Sequence, residues 1–309
     1  MKSPRSNSLP VASACPALRR PVDGHAGVLM ILFCLALGAQ QVAIKAVASD
    51  IAPLAQVALR SLAAAMLVLA IARWRGMRLT DLRADLGPGL LVGLGFTAEF
   101  VFVAWGLHYT LASHMSVFLY TAPVFAALGL HLWVPGERLA RRQWWGIALA
   151  FAGMLIAMAP ATHRVAAGAV MLGDALGLLA GLSWAATTLV LRRSSLSEAP
   201  PVKTLCYQLI VAAGILMPVV VASGDLERIA VTGPVVASMA FQTLVISCGA
   251  LLLWFALLRR YLASQLGVFS FLSPVFGVLF GALLLGEPLT LNFIIGGLAI
   301  LSGIVLVSR

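Results

Sequence analysis

The sequence predicts an all-α integral membrane protein of ten transmembrane helices arranged as two inverted five-helix repeats. Three observations predict it. Of 309 residues, 61% are hydrophobic and 10% charged, far from the apolar half and charged quarter of a soluble domain. Apolar runs of about 17 to 25 residues, long enough to cross the hydrocarbon as helices, recur with polar breaks between them. And one segment is written twice: "ASHMSVFLYTAPVF" at 112–125 returns as "ASQLGVFSFLSPVF" at 263–276, with Pro123 and Pro274 matched deep inside the run.

Residues 1–25 are polar and basic and lack the apolar core of a signal peptide, so they are expected to form a disordered cytoplasmic tail. Cys15 follows "VASA" without the apolar segment that a lipidation signal needs. The first repeat, 26–160, holds spans at 26–47, 52–72, 87–108, 110–133 and 140–160. Span 2 opens on Pro53 and carries Arg60; span 3 carries Glu99; span 4 carries the first copy of the repeated segment. The second repeat, 168–307, holds spans at 168–191, 202–222, 234–258, 262–285 and 289–307. The connectors are too short for an inserted soluble domain. Cys34, Cys206 and Cys248 fall inside spans with no C-x-x-C spacing, which predicts small core residues, with no disulfide framework, metal site or cofactor.

A net charge of +10 could suggest nucleic acid, but its distribution points to a membrane. All Lys and Arg except Lys45, Arg60, Arg164 and Arg228 fall in alternate connectors or the termini. By the positive-inside rule that face is cytoplasmic, which places both termini inside and the chain in the inner membrane as a multi-pass protein. The partners expected are the lipid bilayer and a small molecule, with the chain a monomer or homodimer and no nucleic acid involved.

The match between halves extends beyond the opening segment. "GERL" at 136–139 answers "GEPL" at 286–289, Gly146 and Gly153 answer Gly296 and Gly303, "LGAQQVAIK" at 37–45 answers "WAATTLVLR" at 184–192, and Pro53 answers Pro200. A repeat with an odd number of crossings must place its two copies in opposite orientations, a recurring plan of secondary transporters. With "PVF", "GExL" and the paired glycines in each half, the chain after residue 25 resembles the EamA-type transporters of the drug/metabolite transporter superfamily. The resemblance implies a ten-helix, two-repeat carrier, often an exporter of amino acids or other small metabolites. One departure is Leu37, where the family commonly carries a tryptophan like Trp184.

Charges inside a span are costly and point to function or to pairing. Arg60 and Glu99 lie at equal depth, roughly 12 to 14 Å below the outer face at 1.5 Å per residue. Two readings stand: a structural clamp in which they neutralise each other, or Arg60 meeting a substrate carboxylate while Glu99 meets an amine or carries a coupling proton. Gln40, Gln41, Tyr120, Trp184, Tyr207, Gln208, Gln242 and Gln265 complete the candidate substrate-binding set, each with a packing alternative. Lys45, near a span end, can snorkel to the interface. Pro123 and Pro274 are expected hinges or packing kinks near the midplane. Glu137 and Glu287, each between two spans, are expected to meet unsatisfied helix N–H groups. The glycine spacings 89/93, 173/177/181 and 277/281 are expected to pack spans within one chain.

An intramembrane enzyme is the main rival class. "GLSWA" at 181–185 offers Ser183, yet His108, His114 and His131 lie at other depths, and no H-E-x-x-H or G-x-S-x-G motif is present. A channel would need a ring of charges or a filter loop, and an ATP-driven pump a P-loop; neither is present. The sequence therefore predicts a non-enzymatic exporter of a small polar or zwitterionic metabolite, an amino acid or a derivative such as an opine-like metallophore. Uptake or exchange of a nucleoside-like or drug-like solute is the alternative.

Overall fold

The computed structural model describes residues 19–78, 80–110, 112–157, 167–286, 289 and 291–308. In chain order the helices are α1 (Gly24–Ala46), α2 (Pro53–Trp74), α3 (Thr80–Arg83), α4 (Leu86–Gly106), α5 (Ala112–Leu119), α6 (Ala122–Trp133) and α7 (Arg141–Ala157). There follow α8 (Ala167–Arg193), α9 (Pro201–Ala222), α10 (Gly233–Phe241), a π-helical stretch Gln242–Ala250, then α11 (Leu251–Arg260), α12 (Ala263–Phe269), α13 (Leu272–Leu285) and α14 (Leu291–Ser308). Among the described residues nine spans are long and apolar enough to cross a membrane. Helix α7, at the place of the fifth expected span, has 17 described residues.

Helix starts follow ordinary chemistry. The Asp23 carboxylate accepts from the Ala26 N–H at 2.8 Å and caps α1, and that bond holds the carboxyl below its usual range. Pro53 and Pro201 occupy the first turns of α2 and α9, where the missing N–H has no partner to lose.

The repeated segment is broken in both copies. Instead of a kink within one helix, α5 stops at Leu119 and α6 starts at Ala122, while α12 stops at Phe269 and α13 starts at Leu272. The intervening turns are tighter than α: the Thr121 N–H donates to the Phe118 carbonyl at 3.2 Å and the Phe271 N–H to Val268 at 3.3 Å. Each proline thus lies in a first turn, and the Ser270 carbonyl that Pro274 cannot engage accepts from the Ser273 N–H at 2.9 Å.

Small residues set the packing. Helices α7 and α14 cross antiparallel with backbones nearly touching: a Cβ on Gly146 would lie 2.8 Å from the Gly303 carbonyl oxygen, and one on Gly153 2.6 Å from that of Gly296. Helix α1 runs parallel to α13, with Gly38 against Phe276 and Gly277. Helix α8 runs parallel to α5 and α6, with Gly177 against Phe118 and Gly181 against Thr121. Gly89 and Gly93 of α4 receive Tyr207 and Val211 of α9. Leu37 is partly buried and packs on the core. Exposed apolar side chains such as Met66, Leu90 and Leu298 line the outside, as a lipid-facing surface requires.

Part of the expected tail is ordered. Arg19 to Asp23 lie against the start of α12: the Arg20 N–H donates to the Arg260 carbonyl at 3.0 Å and the Leu262 N–H to the Arg20 carbonyl at 3.1 Å. The composition that suggested disorder missed these partners, which come from the other end of the chain. Residues 1–18, with Cys15, and Glu287 lie outside the described residues.

Candidate functional site

A cavity of about 670 Å³ opens among α1, α2, α4, α5 and α13, away from the arginine-rich connectors. That volume suits a small-molecule ligand. Gln41, Ser116 and Tyr120 supply hydroxyl and amide groups, and Lys45 lies toward the mouth. Val57, Phe100, Val103, Leu107 and Leu119 make most of the remaining wall apolar. Pro274 of the second proline break also faces this space.

Arg60 lies one helical turn beyond Val57 and is 3% exposed. Its guanidinium carbon stands 5.2 Å from the centroid of the Phe100 ring, whose side chain lines the cavity. Among the described residues its Nε and Nη1 have no hydrogen-bond partner. Glu99 acts on it electrostatically, but no ion pair within 4.0 Å joins them. Neither Arg60 nor Glu99 is itself among the residues lining the cavity, and a buried cation with donors unmet is costly to hold.

Behind the cavity, Tyr120 meets Trp184 edge-on at 5.7 Å and Phe271 at 6.5 Å, and Phe151 stands 6.4 Å beyond Phe271. These rings form a cluster that reaches the cavity only through Tyr120. A separate polar network centres on Glu137. Glu137, 4% exposed, accepts from the Ala263 N–H at 3.1 Å and from the Ser264 N–H and hydroxyl at 3.4 and 3.2 Å, and pairs with Arg192 at 3.2 Å. The N–H groups expected for Glu137 therefore belong to α12, on the other half of the chain.

The remaining candidates separate. Gln40 is buried next to Gln41 but does not line the cavity. Gln265 is fully engaged, accepting from the Val22 N–H at 2.7 Å and donating to the Val307 carbonyl at 3.3 Å. The Tyr207 hydroxyl donates to the Leu82 carbonyl near the arginine-rich end. Gln208 is buried with its Oε1 unpartnered among the described residues. Gln242, where α10 gives way to the π-helical stretch, donates to Gln56 Oε1 at 2.7 Å and to the Ser238 hydroxyl at 3.1 Å. Sequence reasoning missed Phe100 and Gln56. Gln56 lies one turn before Arg60 on the same helix face, a polar i, i+4 pair inside a span that could have flagged it.

A model of the EamA-like transporter family matches twice, over residues 25–159 and 171–309. A "probable amino-acid metabolite efflux pump" of Escherichia coli is 28% identical over 293 residues, covering 90% of this chain and 93% of its own. The protein of that description in Salmonella typhimurium is 27% identical over 288 residues, covering 90% and 93%. An "uncharacterized transporter" of Archaeoglobus fulgidus is 27% identical over 249 residues, covering 80% and 84%. A crystal structure shares the fold with a TM-score of 0.75 at 19% identity, covering 91% of this chain and 94% of that one. By the paired family match over nearly all of its length after the first residues, this chain belongs to the EamA-like transporter family, a multi-pass membrane transporter.

Proposed function

We propose that the protein is a secondary transporter that exports a small carboxylate-bearing metabolite, an amino acid or a derivative such as an opine-like metallophore, by alternating access. The observation that carries this is Arg60: buried, stacked on Phe100 and with Nε and Nη1 unpartnered beside a ligand-sized cavity. Arg60 receives the carboxylate, Gln41 and Tyr120 orient polar groups, and Glu99 takes the amine or a coupling proton. The names of the bacterial relatives support the substrate class.

Ten spans in two inverted five-helix repeats, 26–160 and 168–307, with both termini cytoplasmic, suit this reading. Support comes from the α7–α14 crossing. If Gly146 corresponds to Gly296 and Gly153 to Gly303, then the contacts 146–303 and 153–296 exchange under a twofold axis, and equivalent helices run antiparallel. The matched breaks before Pro123 and Pro274 are the hinges of the rocking motion.

An uptake or exchange carrier for a nucleoside-like or drug-like solute is the second reading, favoured by the apolar wall and by the Tyr120–Trp184 pair. The deciding experiment compares metabolites in medium and cells with and without the protein, followed by flux in membrane vesicles. A carboxylate accumulating in the medium with wild type and not with Arg60→Gln supports export. Unchanged flux in Arg60→Gln at normal protein level overturns the anchor role.

A further inference from the structure

We propose that Glu137, Arg192 and the segment Arg19–Asp23 form a gate that seals the arginine-rich mouth, and that this gate must part before substrate is loaded. The proposal rests on the carrier reading above but not on its substrate.

The clasp joins parts of the chain that an opening motion would separate. Glu137, in the loop between α6 and α7, holds the first N–H groups of α12 and pairs with Arg192 at the end of α8. Arg192 in turn donates to the Tyr261 carbonyl, just ahead of α12, and is 9% exposed. Over this cluster runs the segment before α1. Arg19 pairs with Glu198 and donates to Ser197, Arg20 bridges to the Arg260–Leu262 backbone, the Val22 N–H donates to Gln265, and Asp23 accepts from the Tyr261 hydroxyl at 3.0 Å. One mouth of the path is thus tied shut by charge-assisted bonds while the other is an open cavity.

The correspondence between halves says what lies beneath. In the alignment of "LGAQQVAIK" with "WAATTLVLR", Gln41, which faces the cavity, answers Thr188, and Lys45, also at the cavity, answers Arg192. Thr188 is 6% exposed. Among the described residues, Nε of Arg192 and Oε1 of Gln208 are buried without a hydrogen-bond partner. Groups left unmet in a closed state gain partners when that side opens, which keeps the two states close in free energy. Glu137→Gln retains an oxygen for the α12 N–H groups but removes the charge opposite Arg192, so it weakens the closed state selectively.

The test uses impermeant-maleimide labelling of single cysteines, Thr188→Cys and Gln41→Cys, in the full chain with its native cysteines replaced. Glu137→Gln is expected to raise labelling at 188 by roughly tenfold and to lower it at 41, because opening one side closes the other. Gln265→Ala, which releases Val22, should move both in the same directions by a smaller factor, and Trp145→Ala, a lipid-side control, should move neither. Unchanged labelling in both gate variants overturns the proposal. So does a rise at both positions, which signals loss of fold or a continuous pore. If labelling shifts as expected while carboxylate flux is absent, the substrate assignment fails and the gate stands.

Discussion

Arg60 and Phe100 form a cation–π pair behind the cavity wall: the guanidinium carbon stands 5.2 Å from the centroid of the Phe100 ring, and of the two only Phe100 lines the ligand-sized space. The ring holds the cation in place without using its hydrogen-bond donors. Replacing Phe100 by Leu removes a contact worth about 0.5 to 2 kcal/mol and leaves the charge. The expected result is a rise in half-saturating substrate concentration of up to about thirtyfold, with maximal flux retained. Arg60→Lys keeps the charge but loses the planar fork, so a larger loss of affinity for carboxylates is expected, measured as concentration-dependent flux in proteoliposomes.

Gly296 and Gly297 are adjacent on α14 but differ in what a methyl group would meet. A Cβ on Gly296 would lie 2.3 Å from the Gly153 carbonyl oxygen and 2.5 Å from the Ala157 backbone nitrogen, whereas one on Gly297 meets nothing within 4 Å. Gly296→Ala must push two backbones apart, at a cost of about 1 to 3 kcal/mol. It is expected to lower the thermal midpoint of the purified protein by several degrees, roughly as such a loss predicts. Gly297→Ala should leave the midpoint unchanged.

Much of the architecture is legible because lipid enforces it: each span must satisfy its own backbone, so apolar length and proline position report helices directly. The twice-written segment 112–125 and 263–276 located both helix breaks. What stayed hidden depends on which side chains meet across the chain. Glu137 read as a helix-end carboxylate, but nothing local names Ala263 and Ser264 as its donors. Gln265 and Gln41 look alike in sequence, yet one is consumed by Val22 and Val307 and the other faces the cavity. Arg60 was legible as an expensive charge, and its use of Phe100 in place of a direct pair with Glu99 was not, because periodicity carries no side-chain distances.

Asp85, ahead of α4, accepts from Lys203 Nζ and from the Ser195 hydroxyl, and these contacts, Lys203 first, hold its carboxyl below the usual carboxylate range. A group whose pKa is lower folded than unfolded contributes stability above its unfolded value, near pH 4, and loses it as pH falls through the folded value. Asp85→Asn should therefore be less stable than wild type at pH 7, with the two curves converging in acid. Thermal unfolding in detergent from neutral pH downward measures this; parallel curves at every pH would count against the ion pair.

Gln56 and Gln242 test how α2 is tied to the π-helical stretch. Both are fully buried, and the 2.7 Å bond from Gln242 Nε2 to Gln56 Oε1 links them, while Gln56 Nε2 also donates to the Ile44 and Ile51 carbonyls at 3.2 and 3.0 Å. Truncating either partner strands a buried polar group, at a cost of about 1 to 3 kcal/mol. With Gln242→Leu the Gln56 oxygen loses its donor, and with Gln56→Leu the Gln242 amide keeps only Ser238. The double variant removes both ends at once, so it should be destabilised by less than the sum of the singles, by about 1 kcal/mol. Equilibrium unfolding of the four proteins in one detergent measures that coupling, and simple additivity would mean that the bond contributes nothing to holding α2 against the π-helical stretch.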